Sequence, residues 1–445
     1  MPLSSIQQIL LHTIDEQFPL YLHDWQSIST QIYTSPAPKI QDIWLSLLRH
    51  HGFLVQYLDP DQLILYGEYM VQAPQTLLFY IKYTPSMAMQ QVTFPLLSQL
   101  AAIHAYANHC KQFPVNIKWL IDGQASTPST YLAQLLAEQR SLLQADSCIL
   151  YTTKREISKV AMQTELILGI KGHLQVEVSL QTATRAIPAS YGAIAPDAAW
   201  QLIWALAALK DEREDILLEG FYDHLQTPED EVIEAISHLP DISAELRQAW
   251  GTEQLVMDLK GIQQHYAYWL TPTCTITLLN SALSPQTSTS MDDTVDNTEL
   301  IPTQAQARLD FQLVPAQNPH EIFTKLQHHF HTHTSYPVQC RLLSASQPIA
   351  ISAREPMVQQ WQQAIQNVSQ QPPLLLPLAA DVDEYTLISR QFAVPTMGIA
   401  LPIASVATGA PAPLEQLRAH MKQHVLFLTS YDRQTPDHAN RLSSH

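Results

Sequence analysis

Between about residues 40 and 153 the chain alternates helix-spaced apolar residues with short, almost unbroken apolar runs. "KIQDIWLSLLRHHGF" carries Ile43, Trp44, Leu47 and Leu48 at helical spacing, and Gly52 is placed to end that helix. "LVQYLD", "LILYGEY" and "TLLFYIKY" follow as strands, then "LLSQLAAIHAYANHC" as a helix and "VNIKWLID" as a strand. "TYLAQLLAEQRSLLQ" reads as another helix and "SCILYTT" as another strand. This α/β alternation predicts a partly parallel sheet covered by helices.

The pattern changes after about residue 163. "ELILGIKGHLQVEVSLQ" alternates as a strand pair, and "DAAWQLIWALAALKDE" is a helix with an apolar face at Leu202, Ile203, Leu206 and Leu209. "CTITLLNSAL" and "ARLDFQLVP" are strands, and "HEIFTKLQHHF" is a helix, an order that fits a small α+β domain. The polar run "SPQTSTSMDDTVDNTE" reads as a flexible loop. Then "REPMVQQWQQAIQNVSQ" is a helix, "PTMGIAL" a strand and "LEQLRAHMKQHVLFLTSY" a helix, so the first domain resumes. The expected division is 1–163 and 354–431 for an interrupted domain, 164–353 for an insertion, and 432–445 as a disordered tail.

A chain of 445 residues exceeds one ordinary core, and 46% hydrophobic residues can fill two. No apolar run approaches the roughly 20 residues of a membrane span. The opening "MPLSSIQQILLHTIDEQF" reads as an amphipathic helix and not as a secretory leader, so a cytoplasmic protein is expected. The net charge of -17 argues against nucleic-acid binding, which needs a basic footprint. Cys110, Cys148, Cys274 and Cys340 form no CxxC pair and read as free thiols. Only 11 glycines are present, and no GxGxxG or GxxxxGK pattern occurs, which removes the usual nucleotide-cradling loops.

From about Phe18 to Tyr431 the order of segments resembles the di-zinc metallohydrolases of peptidase family M twenty, which include carnosine-type dipeptidases, glutamate carboxypeptidases, aminoacylases and desuccinylases. Three segments carry the resemblance: "FPVNIKWLIDG", "LKDEREDILLEGFYDHL" and "RLDFQLVPAQNP". It implies an α/β catalytic-type domain with a mixed sheet covered by helices, interrupted by an α+β lid that dimerises. It also implies two zinc ions held by His, Asp and Glu, with a glutamate acting as general base on metal-bound water.

Matched to the family's motifs, this chain departs at each of those positions. The first ligand strand, which ends Gly-His-Tyr-Asp-Val in the family, has Lys82 at the histidine and Thr84 at the aspartate. The loop that would carry the bridging aspartate is missing before "LLSQLAAIHAY". In "DGQAS", Ala125 stands at the general base and Ser126 at the next ligand. Thr152 and Gly409 stand at the remaining ligand positions, while Pro188 and Gln312 replace the lid histidine and arginine. A protonated lysine has no lone pair for a metal. Clustered carboxylates without their ions would repel one another, so small neutral residues relieve a site that has lost its metal.

The resemblance therefore implies a metallopeptidase-like protein without its zinc or its activity. It would act by binding a peptide or acylamino acid, or as a scaffold, a homodimer through the lid, or a partner of an active relative. The alternative is a hydrolase of dipeptides or N-acyl amino acids with a rebuilt site, in which Lys82 and Ser126 form a dyad. The cluster "HHFHTH", with His328, His329, His331 and His333, reads as a solvated helix end. His104 and His109 read as packing or surface residues. Trp200 and Trp204 share one helix face, either in the core or at a partner surface.

Overall fold

The computed structural model describes residues 3–34, 37–83, 88–110, 112–123, 129–152, 163–282, 299–379, 383–401 and 414–432. The chain divides into two compact units, the first made of Met1–Gly169, Glu229–Glu245 and Ile351–His445, the second of Ile170–Pro228 and Leu246–Ala350.

The first unit opens with α1 (Ser5–Thr34), α2 (Ala37–His50), β1 (Leu54–Tyr57), β2 (Ile64–Tyr69), β3 (Thr76–Lys82) and α3 (Ala88–His109). It continues with β4 (Asn116–Asp122), α4 (Ser129–Glu138), α5 (Arg140–Leu143), β5 (Ser147–Thr152) and β6 (Glu165–Ile167). After β7 (Gly169–Ile170) come β8 (Gly172–Gln181), β9 (Ile187–Pro188) and α6 (Ala198–Ala207) of the second unit. α7 (Asp230–Ser237) returns to the first unit, and α8 (Ser243–Trp250) leaves it. The second unit then adds α9 (Gly261–Leu270), β10 (Thr273–Ala282), β11 (Leu300–Ile301), β12 (Gln304–Leu313), α10 (Pro319–His333), β13 (Gln339–Ser346) and β14 (Ile349–Ala350). The first unit closes with α11 (Pro356–Ser369), β15 (Leu374–Leu376), α12 (Asp383–Phe392), β16 (Thr396–Ala400) and α13 (Leu414–Asp432).

The eight-stranded sheet of the first unit has the order β1-β2-β4-β3-β5-β16-β6-β15. β4, β3, β5 and β16 run parallel to one another, with antiparallel pairs at β1–β2, β2–β4 and β16–β6. Every residue of β4 is buried, as are Leu77 to Ile81 of β3. That is why these strands read as unbroken apolar runs. On one face, the rings of Phe79, Trp119 and Tyr151 stack, with centroids 5.2 to 6.3 Å apart. His424 of α13 lies against Phe79 and Tyr151 on that face, and α1, α3, α11 and α13 pack on one another there. α12 packs on α4 and on β16, with the Tyr385 hydroxyl donating to the Thr396 carbonyl. Gly52 ends α2 as expected, with a positive φ of 85° that an L side chain adopts only under strain.

The four-stranded antiparallel sheet of the second unit, order β10-β12-β8-β13, follows the opposite rule. β8 alternates strictly between buried and half-buried residues until its last position. Leu174, Val176 and Val178 with Leu309 and Phe311 form a core against Leu202 and Leu206 of α6 and Leu326 and Phe330 of α10. One expectation for α6 fails: Ile203 is 41% exposed. It sits about 100° round the helix from Leu202, off the stripe that faces the sheet.

Candidate functional site

Because β4, β3, β5 and β16 are parallel, their carboxyl ends share one edge of the sheet. In register, Lys82 lies opposite Asp122 and Ala400 opposite Thr152. Glu165 opens the antiparallel β6 opposite Ala400, so it reaches the same edge. The carboxyl ends of parallel strands are where open α/β sheets bind their ligands.

Lys82 Nζ donates to Glu384 Oε1 at 2.6 Å, with the two side chains 31% and 20% exposed. Glu384 sits in the first turn of α12, where the helix dipole favours a carboxylate. Asp122 is fully buried and accepts from the Tyr80 hydroxyl at 3.0 Å. Burial, then the charges of Asp122 and Glu384, hold Tyr80 far above its ordinary value, so the phenol stays protonated and donates. Just past Asp122, a Cβ on Gly123 would come within 2.6 Å of Gln41 Nε2 and 2.8 Å of Tyr83 Oη. Only glycine lets the backbone leave β4 under those two side chains. This edge is thus a packed, polar arrangement in which Lys82 is a fixed cation.

Of the residues expected at the site, Lys82 and Thr152 come to this edge together. Thr84, Ala125, Ser126 and Gly409 lie outside the described residues. Pro188 and Gln312 belong to the second unit. Pro188 pairs with Leu300 in a two-stranded ribbon. Gln312 Nε2 donates to Asp310 Oδ1 at 2.9 Å, and its Oε1 is buried without a partner. His173 joins that cluster, 2.7 Å from Asp310 Oδ2 through Nε2 and 3.3 Å from Ser344 Oγ through Nδ1. Burial pushes the Asp310 carboxyl up, but the hydrogen bonds from His173 and Gln312 outweigh it and hold it below its ordinary value.

Three other expectations are sharpened. His329 is not on a solvated helix end: it is buried, since Ile322, Leu326, His329 and Phe330 make one helical stripe. His104 Nε2 is hydrogen-bonded to His51 Nδ1 at 2.9 Å, and His109 meets Thr13 Oγ1 at 2.8 Å. Trp200 and Trp204 are 55% and 57% exposed and lie side by side at 5.8 Å, outside the core. Sequence reading missed Glu384, because α12 was not foreseen, and it missed the fully buried pair His420 and His424 on α13. Their spacing of four residues within an apolar helix was the available signal.

Two zinc ions would need several neutral imidazoles and carboxylates converging on one point. At this edge the ammonium of Lys82 offers no lone pair, and the Glu384 carboxylate is bonded to it. Among the described residues, no group of three or more His, Cys, Asp or Glu side chains is placed to hold a metal ion. The described residues of this edge therefore do not fit a two-zinc centre.

No family model and no curated protein matches the chain. Solved structures do match. A family M twenty metallo-carboxypeptidase from Sulfolobus solfataricus aligns with a TM-score of 0.65 at 22% identity, over 88% of this chain and 96% of that one. The di-peptidase Dug1p from Saccharomyces cerevisiae aligns at 0.61 and 15% identity, over 97% and 99%. Human carnosine dipeptidase 1 aligns at 0.60 and 15% identity, over 97% and 100%. Among the described residues, no helix is long and apolar enough to cross a membrane. The chain has the fold of the family M twenty metallopeptidases, taken over almost its whole length.

Proposed function

We propose that this chain keeps the peptidase fold without its chemistry and works by binding, as a receptor for a peptide or acylamino acid or as a scaffold or partner of an active relative. The observation that carries this reading is the ion pair between Lys82 and Glu384 at the tip of β3, the position matched to a zinc-binding histidine. A cation locked to a carboxylate repels a metal ion and blocks the place where it would sit. Ala125 at the general-base position and Thr152 at a ligand position support the same reading from the sequence. Zinc analysis of protein purified without chelators, with dipeptide and N-acyl amino acid assays in added Zn²⁺ or Mn²⁺, tests it. Substoichiometric metal and no turnover are expected; two tightly held ions with hydrolysis would overturn it.

The second unit is the proposed lid and self-association surface. β10 is an edge strand whose residues from Thr275 to Ala282 are all exposed, and Trp200, Ile203 and Trp204 add an exposed apolar face on α6. An edge strand with unpaired backbone groups pairs with another strand, and exposed tryptophans are common at interfaces. Light scattering should give a dimer in the wild type and a monomer in Trp200→Glu/Trp204→Glu. A monomeric wild type would remove this part of the proposal.

A further inference from the structure

On the half-open face of the four-stranded sheet, three adjacent strands bring together an aspartate, a histidine and a serine. Asp310 comes from β12, His173 from β8 and Ser344 from β13. A β-bulge puts the serine there. The pairing of β13 with β8 shifts between Leu342 and Ser344, so Leu343 is an extra residue and Ser344 lies across from Gln175. Without that shift Ser344 would lie across from Leu174, on the face turned to the core. Ser344 is exposed, and the side chains of His173 and Asp310 are 34% and 18% exposed, so a small molecule can reach the group.

His173 Nε2 meets Asp310 Oδ2 at 2.7 Å, and its Nδ1 lies 3.3 Å from Ser344 Oγ. Burial raises Asp310, but the hydrogen bonds from His173 and Gln312 outweigh it, so the group is a carboxylate that can only accept. The proton in the 2.7 Å contact is therefore on Nε2. In the neutral ring the lone pair is then on Nδ1, and Ser344 Oγ donates to it. The 3.3 Å spacing is the looser kind that such pairs show before substrate is bound. Gln312 Nε2 holds the other carboxylate oxygen at 2.9 Å, so Asp310 is itself fixed. Gln175 pairs with Asp310 on one side and with Ser344 on the other, and its amide is a neutral N–H donor on the same face.

We propose that Ser344, His173 and Asp310 form a metal-free hydrolytic centre for short-chain acyl esters of polar alcohols. Ser344 Oγ attacks the ester carbonyl carbon while its proton passes to His173 Nδ1, and Gln175 donates to the oxygen that gains charge. The bond between the carbonyl carbon and the alcohol oxygen breaks, and that oxygen takes the proton from Nδ1. Water then attacks the acyl-serine by the same route. Its proton passes through Nδ1 to Ser344 Oγ, and the carboxylic acid leaves. Asp310 positions the ring and stabilises the imidazolium. The short acyl group follows from the neighbours in register: Thr273, Thr275, Gln312 and Ser346 are neutral and polar, and offer a long chain no apolar wall. The centre belongs to the second unit and uses nothing at the edge that carries Lys82, so it stands or falls apart from the binding role proposed there.

Hydrolysis of p-nitrophenyl acetate by the full chain in the presence of a metal chelator tests it, together with fluorophosphonate labelling and peptide mapping. Saturable hydrolysis is expected, with the label on Ser344. Ser344→Ala and His173→Gln should each lower kcat at least about a hundredfold, the low end for an acid–base group, and abolish the label. Ser344 is exposed, so its alanine variant should keep the wild-type circular dichroism. Asp310→Asn, which favours the wrong tautomer of His173, should lower kcat and leave KM unchanged. p-Nitrophenyl octanoate should react more slowly than the acetate. No saturable hydrolysis, a label on another residue, or a Ser344→Ala variant with the wild-type rate would each overturn the inference. A change in KM alone in Asp310→Asn would remove the positioning role of Asp310, and a faster octanoate reaction would remove the short-chain assignment.

Discussion

The two sheets of this molecule solve the same burial problem in different ways. In the first unit, Leu77 to Ile81 of β3 and all of β4 are buried on both faces, so their side chains are core residues and a polar one needs its own partner. In the second unit, β8 and β12 bury alternate residues and leave the rest half open to water. Polarity there is tolerated at every second position, and the cluster of His173, Asp310, Gln312 and Ser344 occupies such positions. Buried polar residues in the first sheet are therefore the informative ones, and Asp122 stands out for that reason, with the half-buried Lys82 beside it at the strand tip.

That contrast can be broken or sharpened by experiment. The largest effect is expected from acid, and in the first unit. Burial pushes His420 down to about 3 and His51 to about 4 from an ordinary value of 6.5, and it lowers His104 and His424 as well. Above pH 6.5 their contribution is complete; as the pH falls from there toward 3, the unfolded chain takes up protons that the folded one refuses, and stability is lost. Hydrogen exchange across that range should show the first unit opening before the second, where the buried histidines are His265 and His329. The same order in a His51→Asn variant, with the loss beginning at lower pH, would sharpen the assignment.

Next come paired core truncations. Phe79→Ala and Leu78→Ala, on opposite faces of β3, should cost about 3–5 and 2–5 kcal/mol in urea unfolding. In β12, Phe311→Ala should cost about 3–5 kcal/mol while the exposed Gln306→Ala stays within about 0.5. A large loss at Gln306 would undo the distinction between the sheets. Tyr80→Phe, which strips the buried Asp122 of a donor, should cost about 1–3 kcal/mol. A double-mutant cycle on Lys82→Met and Glu384→Gln should give a coupling of roughly 1–2 kcal/mol, between the values for exposed and buried pairs. No coupling would mean that the cation at the strand tip is not held as described.

Much of the fold was legible because the signals are local. The double-sided burial of β3 and β4 shows as unbroken apolar runs, and the α+β character of the second unit shows in the alternation of "HLQVEVSL". Short elements escaped. β15 is three leucines flanked by prolines, and β13 mixes Gln339, Arg341 and Ser344 into a half-buried pattern with a register shift, so neither has a clear period. α7 was hidden inside the segment read as an insertion, although it packs on β15 of the first unit. At the site, Lys82 and Thr152 were found because strand tips can be counted along the chain. Glu384 was not, since it lies 302 residues away and no spacing rule links it to Lys82. The contact between His420 and Ser98 was equally invisible, because the two lie 322 residues apart.

The position of β16 in the sheet sets an order on synthesis. Among the described residues, β6 and β15 join the other five strands only through β16, the last strand along the chain. Until residues 396–400 leave the ribosome, β5 presents a bare apolar edge beside β3, and the whole of the second unit has already emerged. A nascent chain stalled before that point would display an unpaired strand ready to join another chain. Residues 396–400 thus act as a closing clasp, and truncations that remove them should aggregate instead of giving a smaller folded protein.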